Sequence, residues 1–147
     1  MIVDLVRNDL SKIAAPGSVQ VDELCGVYSF PTVHQMISTV SCRLKEACAF
    51  SDILKAMFPM GSMTGAPKRN SLMFAKEMEN FTREIYSGSV GYFTPDGDFD
   101  FNVVIRSLAY EPIKKRLACG VGSAITMASD PDQEYEECAI KINRLIH

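Results

Sequence analysis

Ile85-Tyr86-Ser87-Gly88-Ser89-Val90-Gly91-Tyr92-Phe93-Thr94-Pro95-Asp96-Gly97-Asp98-Phe99 reads as a strand, a tight turn and the start of a second strand. Proline followed by Asp-Gly stands where a hairpin needs its turn residues. The return strand is expected over Phe99 to Tyr110. Alternation puts Phe99, Phe101, Val103 and Ile105 on one face, and Asn102, Val104, Arg106 and Leu108 on the other. A second turn over Glu111-Pro112-Ile113-Lys114-Lys115 leads to a strand from Arg116 to Met127, which carries Cys119-Gly120-Val121-Gly122-Ser123. Asp130-Pro131 then opens a helix expected from Asp132 to about Ile146.

Before the hairpin the pattern is mixed. Residues 1 to about 13 form an amphipathic helix with Ile2, Leu5, Val6 and Leu10 apolar and Asp4, Arg7, Asn8 and Asp9 polar. Ala15-Pro16-Gly17-Ser18 breaks it. Val19 to Pro31 and Thr32 to Leu44 are β-prone, and Ser51-Asp52 caps a short helix from Ile53 to Phe58. Pro59-Met60-Gly61-Ser62-Met63-Thr64-Gly65-Ala66-Pro67-Lys68-Arg69 is a loop running into a helix that reaches Glu79, with Pro67 in its first turn. Gly61 and Gly65 allow close backbone approach or positive φ, and a helix start favours an anion. Only three residues separate the glycines and Ala-Pro-Lys follows, so this is not a Walker A loop. The class is α+β, with antiparallel β-sheet layers flanked by helices.

Composition narrows the function. A chain of 147 residues with net charge −3 is not built for nucleic acid. No apolar run reaches the roughly 18–20 residues of a membrane span, and the first residues, without a basic stretch followed by an apolar run, are not expected to act as a signal peptide. Five scattered cysteines without a CxxC pair read as reduced thiols of a cytoplasmic protein. Met1 begins without a capping residue, as if inside a longer helix.

Several residues can carry chemistry. Glu134, Glu137 and Lys141 fall within about 60° on the last helix, at the border of the stripe formed by Tyr135, Cys138, Ile142, Leu145 and Ile146. They suit either a hard cation such as Mg²⁺ or a solvated, dipole-stabilised first turn. His34 can transfer protons or serve as a hydrogen-bonded structural residue. Arg106, the one charge in an apolar strand, either is paired in the fold or grips a carboxylate. Gly120 and Gly122 can offer N–H groups to an anion or permit close packing. Anion donors and acidic groups together would suit a small polycarboxylate held partly through Mg²⁺.

Five blocks occur in order: Ile2-Val3-Asp4-Leu5-Val6-Arg7-Asn8-Asp9-Leu10, Gly61 to Lys68, Gly88-Ser89-Val90-Gly91-Tyr92-Phe93, Ile105-Arg106-Ser107, and Ser129-Asp130-Pro131 with Glu134-Tyr135-Glu136-Glu137. With them the chain resembles the C-terminal portion of the chorismate-utilising enzymes, which include anthranilate, aminodeoxychorismate (para-aminobenzoate), isochorismate and salicylate synthases. The resemblance covers residues 1–147 as one portion of the chorismate-binding catalytic domain, of the anthranilate synthase component I-like fold. Tyr28-Ser29-Phe30-Pro31-Thr32-Val33-His34-Gln35 is similar to the aminodeoxychorismate branch. The resemblance implies amination of chorismate with ammonia from a glutamine amidotransferase partner, in folate biosynthesis. It implies Glu137 as a Mg²⁺ ligand with Glu134 beside it, and His34 and Ser62 at the reacting hydroxyl. It implies Tyr86, Arg106, Gly120, Gly122 and Lys141 around the substrate. The family's second metal-binding glutamate and its Pro-Ile-Lys-Gly-Thr-type segment lie upstream of Met1, and Ala128 stands where aspartate is usual. The chain is therefore expected to be inactive alone and to self-associate through uncovered sheet. The rivals are the anthranilate and isochorismate or salicylate branches, and a non-catalytic remnant or binding module.

Overall fold

The computed structural model describes residues 1–31 and 33–146, arranged in two compact units, Met1–Glu79 and Asn80–His147.

The first unit contains α1 (Ile2–Ser11), β1 (Gln20–Ser29), β2 (His34–Ser41), α2 (Phe50–Met57), a 3₁₀ turn (Gly61–Met63) and α3 (Lys68–Met78). β1 and β2 pair antiparallel from Gln20↔Ser41 to Ser29↔His34, with irregularities between Val21 and Gly26. Cys25, at φ +56°, lies in that irregular stretch and donates its backbone N–H to Ser38 Oγ at 2.8 Å. Thr32, expected to begin the second strand, lies outside the described residues. The chain leaving α1 is tied to the end of β2: Ala15 N–H donates to Arg43 O at 2.8 Å and Lys45 N–H to Ile13 O at 3.0 Å. α2 starts earlier than expected. Ala49 is its cap position, and the Asp52 side chain reaches back to the Ala49 N–H at 3.2 Å, so Ser51 is already inside the helix.

The loop before α3 is shaped by its glycines. At Gly61 a Cβ would overlap the Leu5 side chain of α1. Gly65 sits at φ +151°, where a side chain is strained. Pro67 is the cap of α3, and its carbonyl accepts the Ser71 N–H at 3.1 Å.

Asp9 is the one buried charged residue among the described residues, 3% exposed. Its residue type alone assigns it to the polar part of α1. Lys68 from the start of α3 binds its Oδ2, Lys12 binds Oδ1 at 2.8 Å, and Lys68 also donates to Met57 O at 3.4 Å. Leu5 and Asp9 are four residues apart and share one face of α1. That face therefore holds both ends of the Gly61–Lys68 loop.

The second unit contains β3 (Ser89–Phe93), β4 (Phe99–Val103), β5 (Leu108–Glu111), β6 (Arg116–Cys119) and α4 (Pro131–Ile146). β3 pairs with β4 and β5 with β6, both antiparallel. The expected turn is present, with Thr94 N–H to Asp98 O at 2.8 Å and Gly97 at φ +92°. Phe93, Phe99 and Phe101 share a face, with ring centroids 5.6–6.0 Å apart.

Two strand readings need correction. Ile85 to Gly88 is a turn, so β3 begins at Ser89. The expected return strand to Tyr110 is two strands, because after Val104 the chain folds on itself: Ile105 N–H bonds Val103 O at 3.0 Å and Arg106 has φ +49°. Residues 99–110 contain no glycine or proline to mark this break, which is why the sequence reads as one strand. The last strand ends at Cys119, not Met127, and residues 120–127 run without ladder partners among the described residues.

Sheet side chains are largely uncovered. Val27 is 70% and Tyr92 60% exposed, and Ile13, Ala56 and Val104 are the buried apolar residues among those described. Two-stranded ribbons cannot bury both faces on their own.

Lys68→Met leaves Asp9 buried with Lys12 as its remaining cation. It should lower the unfolding free energy of the chain by about 3 kcal/mol, read in urea titration. An unchanged midpoint would remove the pair from any structural role.

Candidate active site

In the second unit the site is built on the first three turns of α4. Asp130 caps the helix: its Oδ1 accepts the N–H groups of Asp132 at 3.1 Å and Gln133 at 3.0 Å. Pro131 takes the first helical position, where its missing N–H costs nothing. This start places Glu134, Glu137 and Lys141 on one face.

The segment after β6 passes along that face. Ser123 Oγ touches Glu134 Oε2 and lies 2.8 Å from Glu137 Oε2. Lys141 Nζ sits 2.7 Å from Glu137 Oε1 and donates to Gly122 O at 2.8 Å. The Lys141 hydrogen bond, then the one from Ser123, hold the Glu137 carboxyl below the ordinary carboxylate range.

Tyr86 closes the other side of the same segment. A Cβ on Gly120 would overlap the Tyr86 ring, and one on Gly122 would come 2.8 Å from its hydroxyl. The two glycines therefore let an aromatic ring lie directly on backbone. Tyr86 and Gly120 also line a cavity of about 230 Å³, walled by Phe81, Ile85, Val104 and Leu108 among others.

The donor set fits a hard cation. Ser123 has one hydroxyl proton, yet two carboxylate oxygens converge on it. Lys141 offsets one of the two carboxylate charges, and the one left over, in a set of oxygen ligands, is of the kind Mg²⁺ would meet. No third carboxylate, histidine or cysteine joins the pair among the described residues.

The remaining sequence-derived residues belong to other segments of the chain. Arg106 is exposed in the kink between β4 and β5, and no hydrogen bond or ion pair joins it to another described residue. Its expected strand position is thus corrected to a bend. In the first unit His34 begins β2 with Nδ1 3.0 Å from Ser29 Oγ, and Ser62 is exposed in the 3₁₀ turn. Sequence reasoning did not single out Ser123 or Asp9. Asp9 had a signal, since it falls at the centre of the stripe made by Ile2, Leu5, Val6 and Ile13. Ser123 had none, because its carboxylate partners lie 11 and 14 residues away.

The sequence model of the family described as chorismate binding enzyme matches residues 1–147. The chain is 45% identical over 141 residues to the chloroplastic aminodeoxychorismate synthase of Arabidopsis thaliana, covering 96% of this chain and 15% of that protein. It is 41% identical over 147 residues to aminodeoxychorismate synthase component 1 of Salmonella typhimurium, covering 100% of this chain and 32% of the relative. Its fold matches the crystal structure of anthranilate synthase component I from Streptococcus pneumoniae with TM-score 0.85 and 31% identity, over 100% of this chain and 33% of that one. The chain spans about a third or less of the length of these relatives.

Two outcomes follow from the geometry. Lys141→Met should move the Glu137 titration midpoint upward in carbon-detected NMR. Because that carboxyl is depressed in the fold, its stabilising contribution is present above the ordinary carboxylate range and is lost as pH falls through the lowered midpoint. Gly120→Ala should displace the Tyr86 ring, seen as lost ring-to-backbone contacts in NMR spectra.

Proposed function

Because the chain belongs to the family of chorismate-binding enzymes, we propose that it supplies part of the active site of an aminodeoxychorismate (para-aminobenzoate) synthase component I. In this reading the 4-hydroxyl of chorismate is replaced by ammonia, giving 4-amino-4-deoxychorismate and water on the way to folate. The observation that carries it is the whole-chain likeness to aminodeoxychorismate synthases. The convergent carboxylates of α4 supply supporting chemistry.

Glu137 would hold Mg²⁺, with Glu134 beside it directly or through water. When bound, the ion would offset the charge of a ring carboxylate and anchor it. Lys141 keeps Glu137 ionised and oriented. Arg106 can take the second carboxylate through two parallel N–H bonds. The Tyr86 hydroxyl and the N–H groups of Gly120 and Gly122 would donate to the lone pairs left on those two oxygens. His34 gives a proton to the departing hydroxyl, so that oxygen leaves as water while ammonia forms the new C–N bond. Ser62 hydrogen-bonds the same region of the substrate. A glutamine amidotransferase would supply the ammonia, and the relative's designation as component 1 accords with a second component. We place the reaction in the cytoplasm, in keeping with five free cysteines. No helix of the described residues is long and apolar enough to cross a membrane.

The test grafts the chain in place of the matching third of the Salmonella enzyme. With chorismate, ammonia and Mg²⁺ the chimera should form 4-amino-4-deoxychorismate, and Glu137→Gln should cut the rate about 100-fold or more. Anthranilate as product, or full activity of the glutamine variant, would overturn the reading. The 147 residues alone should form no product and should self-associate through their exposed apolar sheet faces. Turnover by the isolated chain, or a clean monomer in concentrated sedimentation runs, would contradict those two expectations.

A further inference from the structure

We infer that Leu5 is a positioning residue for the Ser62 hydroxyl: this side chain of α1 is the stop against which the turn carrying Ser62 rests. A Cβ on Gly61 would lie 2.5 Å from Leu5 Cδ2, 2.9 Å from its Cγ and 3.6 Å from its Cβ. Carbon atoms settle at about 3.5–4.0 Å, so the first two are overlaps and the third is ordinary contact. There is no room for one methyl group between the turn and α1.

The turn passes this placement on to Ser62. Met63 N–H donates to Met60 O at 3.0 Å, and Thr64 N–H to Gly61 O at 3.2 Å. The Thr64 hydroxyl donates between the same two carbonyls, 3.2 Å from Met60 O and 3.3 Å from Gly61 O. Ser62 lies inside these bonds, so it moves as Gly61 moves. Lys68, held on Asp9, keeps the far end of the loop from sliding along α1 to relieve pressure at Gly61. The Ser62 side chain is exposed and makes no hydrogen bond to another described residue, which leaves its hydroxyl for an outside group. That this group is the departing hydroxyl rests on the function proposed above, whereas the Leu5–Gly61 contact does not. A hydrogen bond made where a substrate bond is breaking contributes to kcat, and a small displacement is enough to lose it.

The experiment is a size-compensation pair, Gly61→Ala and Leu5→Ala. Truncating Leu5 removes the overlapping atoms and leaves its Cβ, at 3.6 Å, beside the new methyl. In the 147-residue chain Leu5→Ala should lower the urea midpoint much less on top of Gly61→Ala than it does in the native sequence. In the Salmonella chimera Gly61→Ala should lower kcat about 10-fold or more with KM little changed. The double variant should regain most of that loss. In a Ser62→Ala background Gly61→Ala should cost little further, because the group it displaces is gone. An additive stability cycle, an unchanged kcat in Gly61→Ala, or a kcat loss that survives either Leu5→Ala or removal of the Ser62 hydroxyl would overturn the inference. A non-additive stability cycle together with an inactive parent chimera would instead count against the proposed reaction alone.

Discussion

A carboxylate taken out of water has to be met by positive charge, and Asp9 is met by two ammonium groups. One comes from Lys12, at the end of the same helix. The other comes from Lys68, 59 residues away at the first position of α3. A buried pair of this kind adds little net stability over an apolar alternative, but misplacing either partner leaves a charge uncompensated. The constraint fixes where α3 begins relative to α1. One turn earlier on α1, Leu5 occupies the space over Gly61 that a Cβ would take. The loop bearing Ser62 is thus anchored at one end by charge and at the other by shape.

Much of this was legible in the residues. The hairpin turn, the glycine loop, the proline that opens α3 and the aspartate that caps α4 are local features, set by a few adjacent side chains, and each stands close to where the sequence puts it. The breaks were harder. Ile105-Arg106-Ser107 carries no glycine or proline, so no turn residue announces the reversal at Arg106. The strand from Arg116 stops at Cys119 because the segment beyond turns its attention to α4 and Tyr86, a tertiary effect that β propensity does not report.

The acidic face of α4 shows how reading and structure divide the work. Helical spacing alone puts Glu134, Glu137 and Lys141 together. It leaves open whether they face solvent or something else. The structure adds the partner: a serine hydroxyl between the carboxylates and a backbone carbonyl on the lysine. As residue types, the glycines at 120 and 122 suit either anion donation or close packing. They lie beneath Tyr86, and this close packing leaves their N–H groups a separate matter.

The cap on α4 also has an evolutionary side. Glu134 and Glu137 stand four and seven residues after Asp130, and the helix advances about 100° per residue. Inserting or deleting a single residue between the cap and the glutamates would swing both carboxylates a quarter turn or more away from Ser123. The hairpin tip at Thr94–Asp98 carries no such phase, since its exposed turn can lengthen without rotating anything. Length variation among descendants of this sequence should therefore collect at the tip and be purged from the interval 130–137.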